Sequence, residues 1–459
     1  MKNIRYTIAV IFVFACLCPG IAQTTVSSYF LDGTFHNSRI NPAMKAERAY
    51  FSIMTGNYSM RTKGNVGISD FLYTRGDNEL TTFMSGSVGA DEFLGRLPSV
   101  SRIGFGFDES ILSGGFRAFG GYATFGLSMH SATMLSLPKE LFVFAKRGFQ
   151  QNSYDISGIN MNTMNYAAFT IGYSRDVYEG LRVGANLKYL VGLAHAALSV
   201  DKLSVVMDEK HWLVESTATV QGAMFCESYA TTDKDGFIDG VETGKMSPSS
   251  SGFAVDLGVV YDMKEFVPGL TLSASLTDLG YINWKYMIKG HSAGTRVEFN
   301  GFNSVDYDDM EDTVDKEVER LGDEAAKLVD FNYDGVTSQS TSLNATMYLG
   351  AEYSMPFYNP LSVAMLYSHG FSTYESNRWS EIRGYVNVAP VKWFEATLNC
   401  GFNTYGTSLG WMINFHPAGF NFFIGSDHMI TRVTPQFLPV NEFNSHITLG
   451  INIPIGQIE

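Results

Sequence analysis

Long runs of alternating apolar and polar residues are the feature that most constrains the fold of this chain. In the segment 269–280, GLTLSASLTDLG, leucine or alanine occupies the even positions from 270 to 276, and serine or threonine the odd positions from 271 to 277. The segments 181–193, 253–261, 394–402 and 446–455 repeat this period of two. Side chains of a β-strand point alternately to its two faces, so each run predicts a strand with one apolar face.

The length of these runs separates two all-β folds. Strands of soluble proteins average about 5–6 residues, whereas a tilted strand needs about 9–11 residues to cross a bilayer. The second face of each run carries Gly, Ser, Thr, Asn and single charges, which suits the polar interior of a membrane barrel. A large soluble β-protein such as a propeller is the alternative, but the sequence has no repeat of propeller length. We therefore predict an all-β fold, a transmembrane antiparallel β-barrel.

The number of candidate strands is 14–16, and bacterial barrels have even numbers; we adopt about 14. The centres of the candidate strands lie near residues 54, 107, 126, 170, 188, 215, 257, 275, 296, 347, 366, 383, 398, 411, 423 and 449. Aromatic residues recur near the ends of the runs, where an interfacial girdle is expected. These aromatic residues are Tyr58, Tyr173, Tyr261, Trp284, Tyr353, Trp393 and Trp411.

The N-terminus and the net charge indicate the compartment and exclude one class of partner. A basic start, an apolar stretch and small residues at 20–22 predict a signal peptide over residues 1–22. No later stretch of 18 residues is continuously apolar, so we expect no transmembrane helix. The net charge of −14 argues against nucleic-acid binding, which needs clustered Lys and Arg. Two cysteines beyond the signal peptide, Cys226 and Cys400, are too few for a disulfide framework. The expected location is the outer membrane of a Gram-negative bacterium.

Three segments interrupt the alternation. Residues 137–148, LPKELFVFAKRG, predict a short helix that begins near Pro138. Residues 231–251 are polar and predict a loop. Residues 303–340 are strongly acidic: between 306 and 334, 12 Asp and Glu face three Lys and Arg, a net charge of −9. Apolar residues spaced by three and four predict an amphipathic helix there, either solvated over the barrel mouth or docking a partner.

Two stretches partly match calcium-binding loops. Residues 231–242, TTDKDGFIDGVE, place carboxylates and a glycine at EF-hand spacing, although Thr231 occupies the first position. Residues 330–341 match the first half of such a loop but end on Thr341. An acidic Asp-Gly turn without metal is the alternative for both. Calcium is the only cofactor that the sequence suggests. The candidate ligands are Asp233, Asp235, Asp239, Glu242, Asp330, Asn332 and Asp334.

Motifs for catalysis are nearly absent, and we expect no enzyme. The chain has no HExxH and no CxxC. Residues 406–410, GTSLG, match G-x-S-x-G, but Ser408 lies between two strand-like runs, whereas a nucleophile elbow needs a helix after the serine. The alternative is a hydrolase embedded in the barrel, with a Ser-His-acid set assembled in space.

The tripeptide Asn41-Pro42-Ala43, just before the first strand, resembles a feature of the long-chain fatty-acid outer-membrane transporters of the FadL and TodX type. In that family the tripeptide ends an N-terminal segment tucked into the barrel. The resemblance implies a plug over residues 23–47 and a barrel over 48–459, with the insertions described above. Proline fixes φ and biases the preceding residue toward extended backbone, so a rigid turn into the first strand is the alternative.

Longer stretches are similar to an uncharacterised family of Bacteroidota outer-membrane barrels, distant relatives of the FadL and PorV proteins. They are SLPKELFVFAKRG, GFAVDLGVVYDMKEFVPGLTLSASLTDLGYINW and NEFNSHITLGINIPIG. The resemblance implies two competing functions. The first is transport of hydrophobic small molecules such as fatty acids across the outer membrane. The second is a non-enzymatic interaction or scaffold barrel linked to protein secretion or surface attachment, with a secreted protein as partner.

Overall fold

The computed structural model describes residues 25–46, 48–53, 57–75, 79–148, 151–207, 212–245, 248–299, 330–373, 378–429 and 444–456. Within these ranges the fold consists almost entirely of strands. The first strands are β1 (Ala49–Ile53), β2 (Tyr58–Gly64), β3 (Leu72–Arg75), β4 (Glu79–Thr82), β5 (Val100–Ala118), β6 (Gly121–Pro138), β7 (Ser153–Asp155), β8 (Ile159–Tyr178), β9 (Leu181–Met207), β10 (Trp212–Met224), β11 (Ser228–Thr232) and β12 (Ile238–Thr243). The remaining strands are β13 (Ser251–Asp262), β14 (Leu270–Phe299), β15 (Asn332–Ser342), β16 (Thr346–Ser354), β17 (Leu361–Gly370), β18 (Trp379–Val391), β19 (Phe394–Asn403), β20 (Gly406–Phe415), β21 (Asn421–Ser426) and β22 (Ser445–Ile455).

Helices are short. The α-helices are α1 (Ile68–Phe71), α2 (Ala90–Leu94) and α3 (Lys139–Arg147), and two 3-10 turns span Val26–Ser28 and Asn37–Arg39. Helix α3 begins directly after Pro138, as the sequence predicts. Among the described residues, no helix has both the length and the apolar character needed to cross a bilayer.

Eighteen strands form one antiparallel sheet that closes on itself, because the last strand, β22, pairs with β1 and β2, and these pair with β5. Each of four pairs of strands occupies a single position around the wall, with its two members one above the other. The pairs are β1 with β2, β7 with β8, β10 with β13, and β15 with β16. The barrel therefore has 14 strand positions, which confirms the predicted fold. The candidate centres near 215 and 257 fall in one shared position, and those near 275 and 296 both lie in β14.

The alternation of side chains is inverted relative to a soluble protein. On β14, Ser273, Ser275 and Thr277 are buried in the lumen, whereas Leu272 and Leu279 are exposed on the outside. Apolar side chains facing outward and polar ones inward are the pattern of a barrel surrounded by lipid. The chain is an outer-membrane β-barrel.

An aromatic row borders the apolar band. Phe169, Tyr189, Phe253 and Tyr281 are cross-strand neighbours on β8, β9, β13 and β14 and are all exposed. The girdle predicted for Trp284 is wrong, because this side chain is fully buried on the lumen side and stacks on His195.

The two ends of the barrel differ. Connections at one end are short, at residues 119–120, 179–180, 263–269, 355–360, 392–393 and 416–420. Connections at the other end carry the insertions. Bacterial outer-membrane barrels have short periplasmic turns and longer extracellular loops, so the insertions lie outside the cell. Strands β9 and β14 have 27 and 30 residues, far more than the bilayer requires. The wall therefore extends beyond the outer face of the membrane.

The insertions cover this extended wall. Helices α1 to α3 and the β3–β4 hairpin share an apolar cluster with Val205 and Met207 of β9. Residues 231–251 are not a simple loop: β11 and β12 form a hairpin, and it packs on the wall through Ile238 beside Gly290. The helix predicted within 303–340 lies outside the described residues, and the end of that segment belongs to β15.

We predict that arginine at the centre of the apolar band destabilises the barrel. Leu257 lies midway between Phe253 and Tyr261 on β13 and is half exposed. Leu257→Arg should lower the free energy of unfolding by about 2–4 kcal/mol, the usual cost of this charge at the bilayer midplane. The measurement is urea unfolding in lipid vesicles. As control, Phe266→Arg in the periplasmic turn should cost at most about 1 kcal/mol; equal costs would contradict the assignment of the band.

Candidate functional site in the barrel lumen

Residues 25–46 lie inside the barrel and form a plug. Two 3-10 turns give the plug its shape, and most of its side chains are buried. Tyr29 and Phe30 pack with Tyr348, Leu366 and Tyr385 of the wall. Strand β1 begins at residue 49, so the chain leaves the lumen and enters the wall within a few residues.

The tripeptide Asn41-Pro42-Ala43 is where the plug meets β9 and β13. Asn41 is fully buried, and its Nδ2 donates to the carbonyl oxygens of Val259 at 3.3 Å and Ala274 at 3.4 Å. Its Oδ1 accepts the amide of Ala43 at 3.0 Å, and its carbonyl accepts the amide of Met44 at 2.9 Å. The tripeptide therefore forms a turn that is bonded to the wall, and its role in a movable plug stays a prediction.

Two glycines make room for this anchor. Gly184 and Gly258 are cross-strand partners on β9 and β13. A methyl group added at Gly184 would lie 2.2 Å from the carbonyl oxygen of Pro42, and one at Gly258 would lie 2.0 Å from Oδ1 of Asn41. Both distances are far below van der Waals contact, so only glycine permits the plug to lie this close to the wall.

A second anchor holds the other end of the plug, at Asp427 after β21. This fully buried carboxylate accepts the amides of Val26 at 3.2 Å and Ser27 at 2.8 Å, and the hydroxyl of Ser27 at 2.6 Å. Arg61 donates to it at 2.5 Å, and Arg383 donates to its backbone carbonyl at 3.1 Å. A buried charge is tolerated only when it is paired and hydrogen-bonded, and Asp427 meets that condition through the plug itself.

A third contact lies between these ends. The carboxylate of Glu395 on β19 accepts the amide of Gly33 at 3.0 Å and the side-chain amide of Asn414 at 3.1 Å. Ser275 of β14 donates to the carbonyl of Ile40 at 2.7 Å. The plug is thus hydrogen-bonded to several separate strands of the wall.

A cavity of about 140 Å³ lies between the plug and the wall. From the plug it is lined by His36, Ser38 and Arg39, and at the extracellular end it reaches Lys63. Its acidic groups are paired with basic ones. Nζ of Lys188 lies 2.8 Å from Asp256 and 2.7 Å from Asp278, and Nδ1 of His130 lies 2.5 Å from Asp108. Several apolar side chains complete the lining: Leu127, Met134, Met164, Leu343 and Tyr348.

The predicted calcium ligands lie outside the lumen, on the β11–β12 hairpin and on β15. Oδ1 of Asp233 accepts the amides of Asp235 at 3.0 Å and Phe237 at 2.9 Å, and Thr231 donates to Asp239 at 2.6 Å. In β12, Asp239 and Glu242 stand three residues apart and so point to opposite faces. Within the described ranges, no group of three or more His, Cys, Asp or Glu residues is placed to hold a metal ion.

The two calcium stretches nevertheless meet. Phe237 bridges to Asn332, and Ile238 donates its amide to the carbonyl of Phe331 at 2.8 Å. Asp334 lies 2.6 Å from His291, and Asp330 lies at the start of the same segment, before β15. Calcium binding by these residues stays a prediction.

We expect any specific calcium binding to be weak, in the range of about 10⁻⁴–10⁻³ M typical of extracellular modules. Binding would need the hairpin to gather carboxylates that its strands now separate. Calorimetry on the wild type and on the double variant Asp235→Ala, Glu242→Gln measures it. Equal heats for the two proteins would show that the hairpin is an ordinary acidic turn.

Several residues of the lumen have no signal in the sequence. Asp427 and Glu395 are isolated carboxylates, and the residues that they hold lie about 360–400 positions away. The alternation places Gly184 on the polar face but does not reveal what it contacts. Ser408, the serine of the G-x-S-x-G match, lies within β20 and accepts a hydrogen bond from Arg383 at 2.8 Å. It has no helix after it and no nucleophile-elbow geometry.

The fold and the lumen together define a class of protein, an outer-membrane β-barrel that holds an N-terminal segment in its lumen. The chain belongs to a family of unknown function (DUF5723), whose model matches residues 42–427. No curated protein matches the sequence.

Solved structures to which this chain is similar include a FadL homologue and forms of TodX. A Pseudomonas aeruginosa FadL homologue shares 10% identity, with 96% of this chain and 100% of that chain covered and a TM-score of 0.43. A deletion mutant of the TodX monoaromatic hydrocarbon channel shares 8% identity over 91% and 93% of the chains, with a TM-score of 0.43. The Pseudomonas putida toluene transporter TodX shares 7% identity over 95% and 94%, with a TM-score of 0.37.

We call the space beside Gly184 and Gly258 the glycine notch, and we predict that filling it opens the lumen. In Gly184→Ala the added methyl would meet the backbone of Pro42, which cannot rotate away as a side chain can. The plug must then shift, and the ion conductance of the protein in planar bilayers should rise severalfold. Gly384→Ala is the matched control, because a methyl at that wall glycine meets nothing within 4 Å. Wild-type conductance in both variants would contradict the anchoring role.

Proposed function

We propose that this protein is a plugged outer-membrane channel that admits hydrophobic small molecules, with fatty acids as one candidate class. The observation that carries the proposal is the plug itself. A segment that is bonded inside the lumen beside a cavity is the arrangement that a channel controlled from within its barrel requires. The glycine notch and the Asp427 anchor are separate contacts, so one end of the plug can move while the other remains bound.

The lining of the cavity combines polar and apolar surface in similar amounts, which supports a ligand of limited size that has an apolar body and a polar group. Methionine, leucine and tyrosine side chains supply an adaptable apolar surface, and paired charges surround it. Because the cavity ends on the plug, a ligand that binds there contacts the element that closes the channel.

A second candidate function is an interaction barrel that holds a secreted protein. The extended wall of β9 and β14 favours it, since transport does not require strands of this length. An apolar pocket of about 90 Å³ lies between the β11–β12 hairpin and the wall, lined by residues such as Met161, Leu198 and Ile288. Their cross-strand register places them on the face opposite to Asn162 and Ala197, which is the outward face.

Uptake by whole cells distinguishes the two functions. Gram-negative cells that produce the wild type should take up the neutral apolar dye N-phenyl-1-naphthylamine faster than cells that produce an unrelated barrel at equal level. The hydrophilic β-lactam nitrocefin should remain excluded. Deleting residues 23–43 should leave a heat-modifiable, folded barrel that admits both compounds, because the wall begins only after this segment.

Dye uptake no faster than with the unrelated barrel would contradict the channel. The interaction barrel predicts instead that deletion of the β11–β12 hairpin abolishes co-purification of a secreted partner while dye uptake stays at background. Unfolding of the 23–43 deletion would show that the segment is structural.

A further inference from the structure

Lys63 is a buried lysine that has no anionic partner among the described residues. It is 5% exposed, lies on β2 opposite Gly104, and lines the extracellular end of the cavity. Its Nζ lies 4.1 Å from the centre of the Trp379 ring and 4.5 Å from that of Tyr405. Among the residues that the structure describes, none accepts a hydrogen bond from Nζ, and no carboxylate lies within 4 Å of it. Two aromatic faces stabilise a cation but do not neutralise it.

The carboxylates nearest in this part of the lumen already have partners. Asp427 is bonded to Arg61 and to the plug, as described above. Glu381 accepts from Arg383 at 2.8 Å and from Asn403 at 2.9 Å. Asp427 and Glu381 are therefore paired with Arg61 and Arg383, and no described carboxylate remains to pair with Lys63. At the far end of the cavity, Asp256 and Asp278 share Lys188, and Arg39 of the plug faces the same cavity.

A lysine that is buried without an anion carries its charge at a cost and tends to lose its proton, whereas an anionic ligand beside it would favour the charged form. Among the described residues, Arg61 and Arg383 each have a carboxylate partner and only Lys63 has none, so the site favours a monoanion. The cavity beside Lys63 continues into methionine and leucine side chains. A ligand that lies there needs one charged end and an apolar body.

We propose that Lys63, framed by Trp379 and Tyr405, binds the carboxylate of a small organic monoanion whose apolar part lies in the cavity. This inference rests on the proposed channel function and names a charged class of ligand for it. Lys63 acts as a specificity residue at the extracellular entrance, selecting carboxylates over neutral molecules of the same shape. Trp379 and Tyr405 hold the ammonium group in place while the site is empty.

The test is calorimetry at pH 7 on purified protein in detergent, with 1-naphthoate as the probe and 1-naphthalenemethanol as its neutral counterpart. Wild type should bind the naphthoate at least tenfold more tightly than the alcohol, the usual gain from a hydrogen bond to a charged group. Lys63→Met should remove that preference and leave the affinity for the alcohol unchanged. Lys63→Arg should retain it, and Lys264→Met, in an exposed periplasmic turn, should behave as wild type. Inorganic phosphate should not compete.

Equal affinity of the wild type for the two probes would overturn the inference, and this outcome needs no variant to fold. An unchanged preference in a heat-modifiable Lys63→Met protein would overturn it as well. Uptake of the neutral dye separates this failure from failure of the channel. Normal dye uptake without a carboxylate preference would refute only the proposed role of Lys63. Absent dye uptake would refute the channel function even if Lys63-dependent binding persists.

Discussion

Closure of the backbone hydrogen-bond ladder is the constraint on which the whole structure depends. Lipid offers no hydrogen-bond partners, so a strand with an open edge cannot remain in the membrane. The pairing of β22 with β1 and β2 removes that edge. Every other feature follows from a closed wall: apolar side chains face outward, polar ones fill the lumen, and a segment inside the lumen must bond with that polar face.

The plug occupies part of the lumen and also supplies hydrogen-bond partners to the polar side chains there. Asp427 and Glu395 would be buried carboxylates lacking several hydrogen bonds if residues 25–46 were absent. The backbone amides of the plug supply those bonds, and the glycine notch lets the tripeptide approach the wall. The plug therefore adds to the stability of the barrel, although the hydrogen-bond ladder of the wall does not include it. Lys63 is the exception, because neither the plug nor the described wall supplies an anion for it.

The sequence predicts the wall better than the lumen. The two-residue alternation reveals the strands and their two faces, because lipid and lumen impose opposite polarity on successive residues. The candidate strand centres fall into the 14 strand positions of the wall. The alternation misplaces Trp284 because an irregularity between Leu276 and Leu279 of β14 reverses the two faces, so that Tyr281 faces outward and Trp284 inward. The tripeptide at 41–43 pointed to the plug through resemblance. Its partners, Gly184 and Gly258, could not be identified because contacts between distant segments leave no local pattern.

Hydrogen–deuterium exchange of the purified barrel tests the central claim, an ordered plug bonded inside a closed wall, most directly. Amides that donate to buried acceptors exchange only when the structure opens. The account predicts slow exchange at Ser27 and Gly33, whose amides are held by Asp427 and Glu395, comparable to exchange in the central strands. Exchange of residues 25–46 at the rate of an unstructured peptide, with the strands still protected, would contradict it.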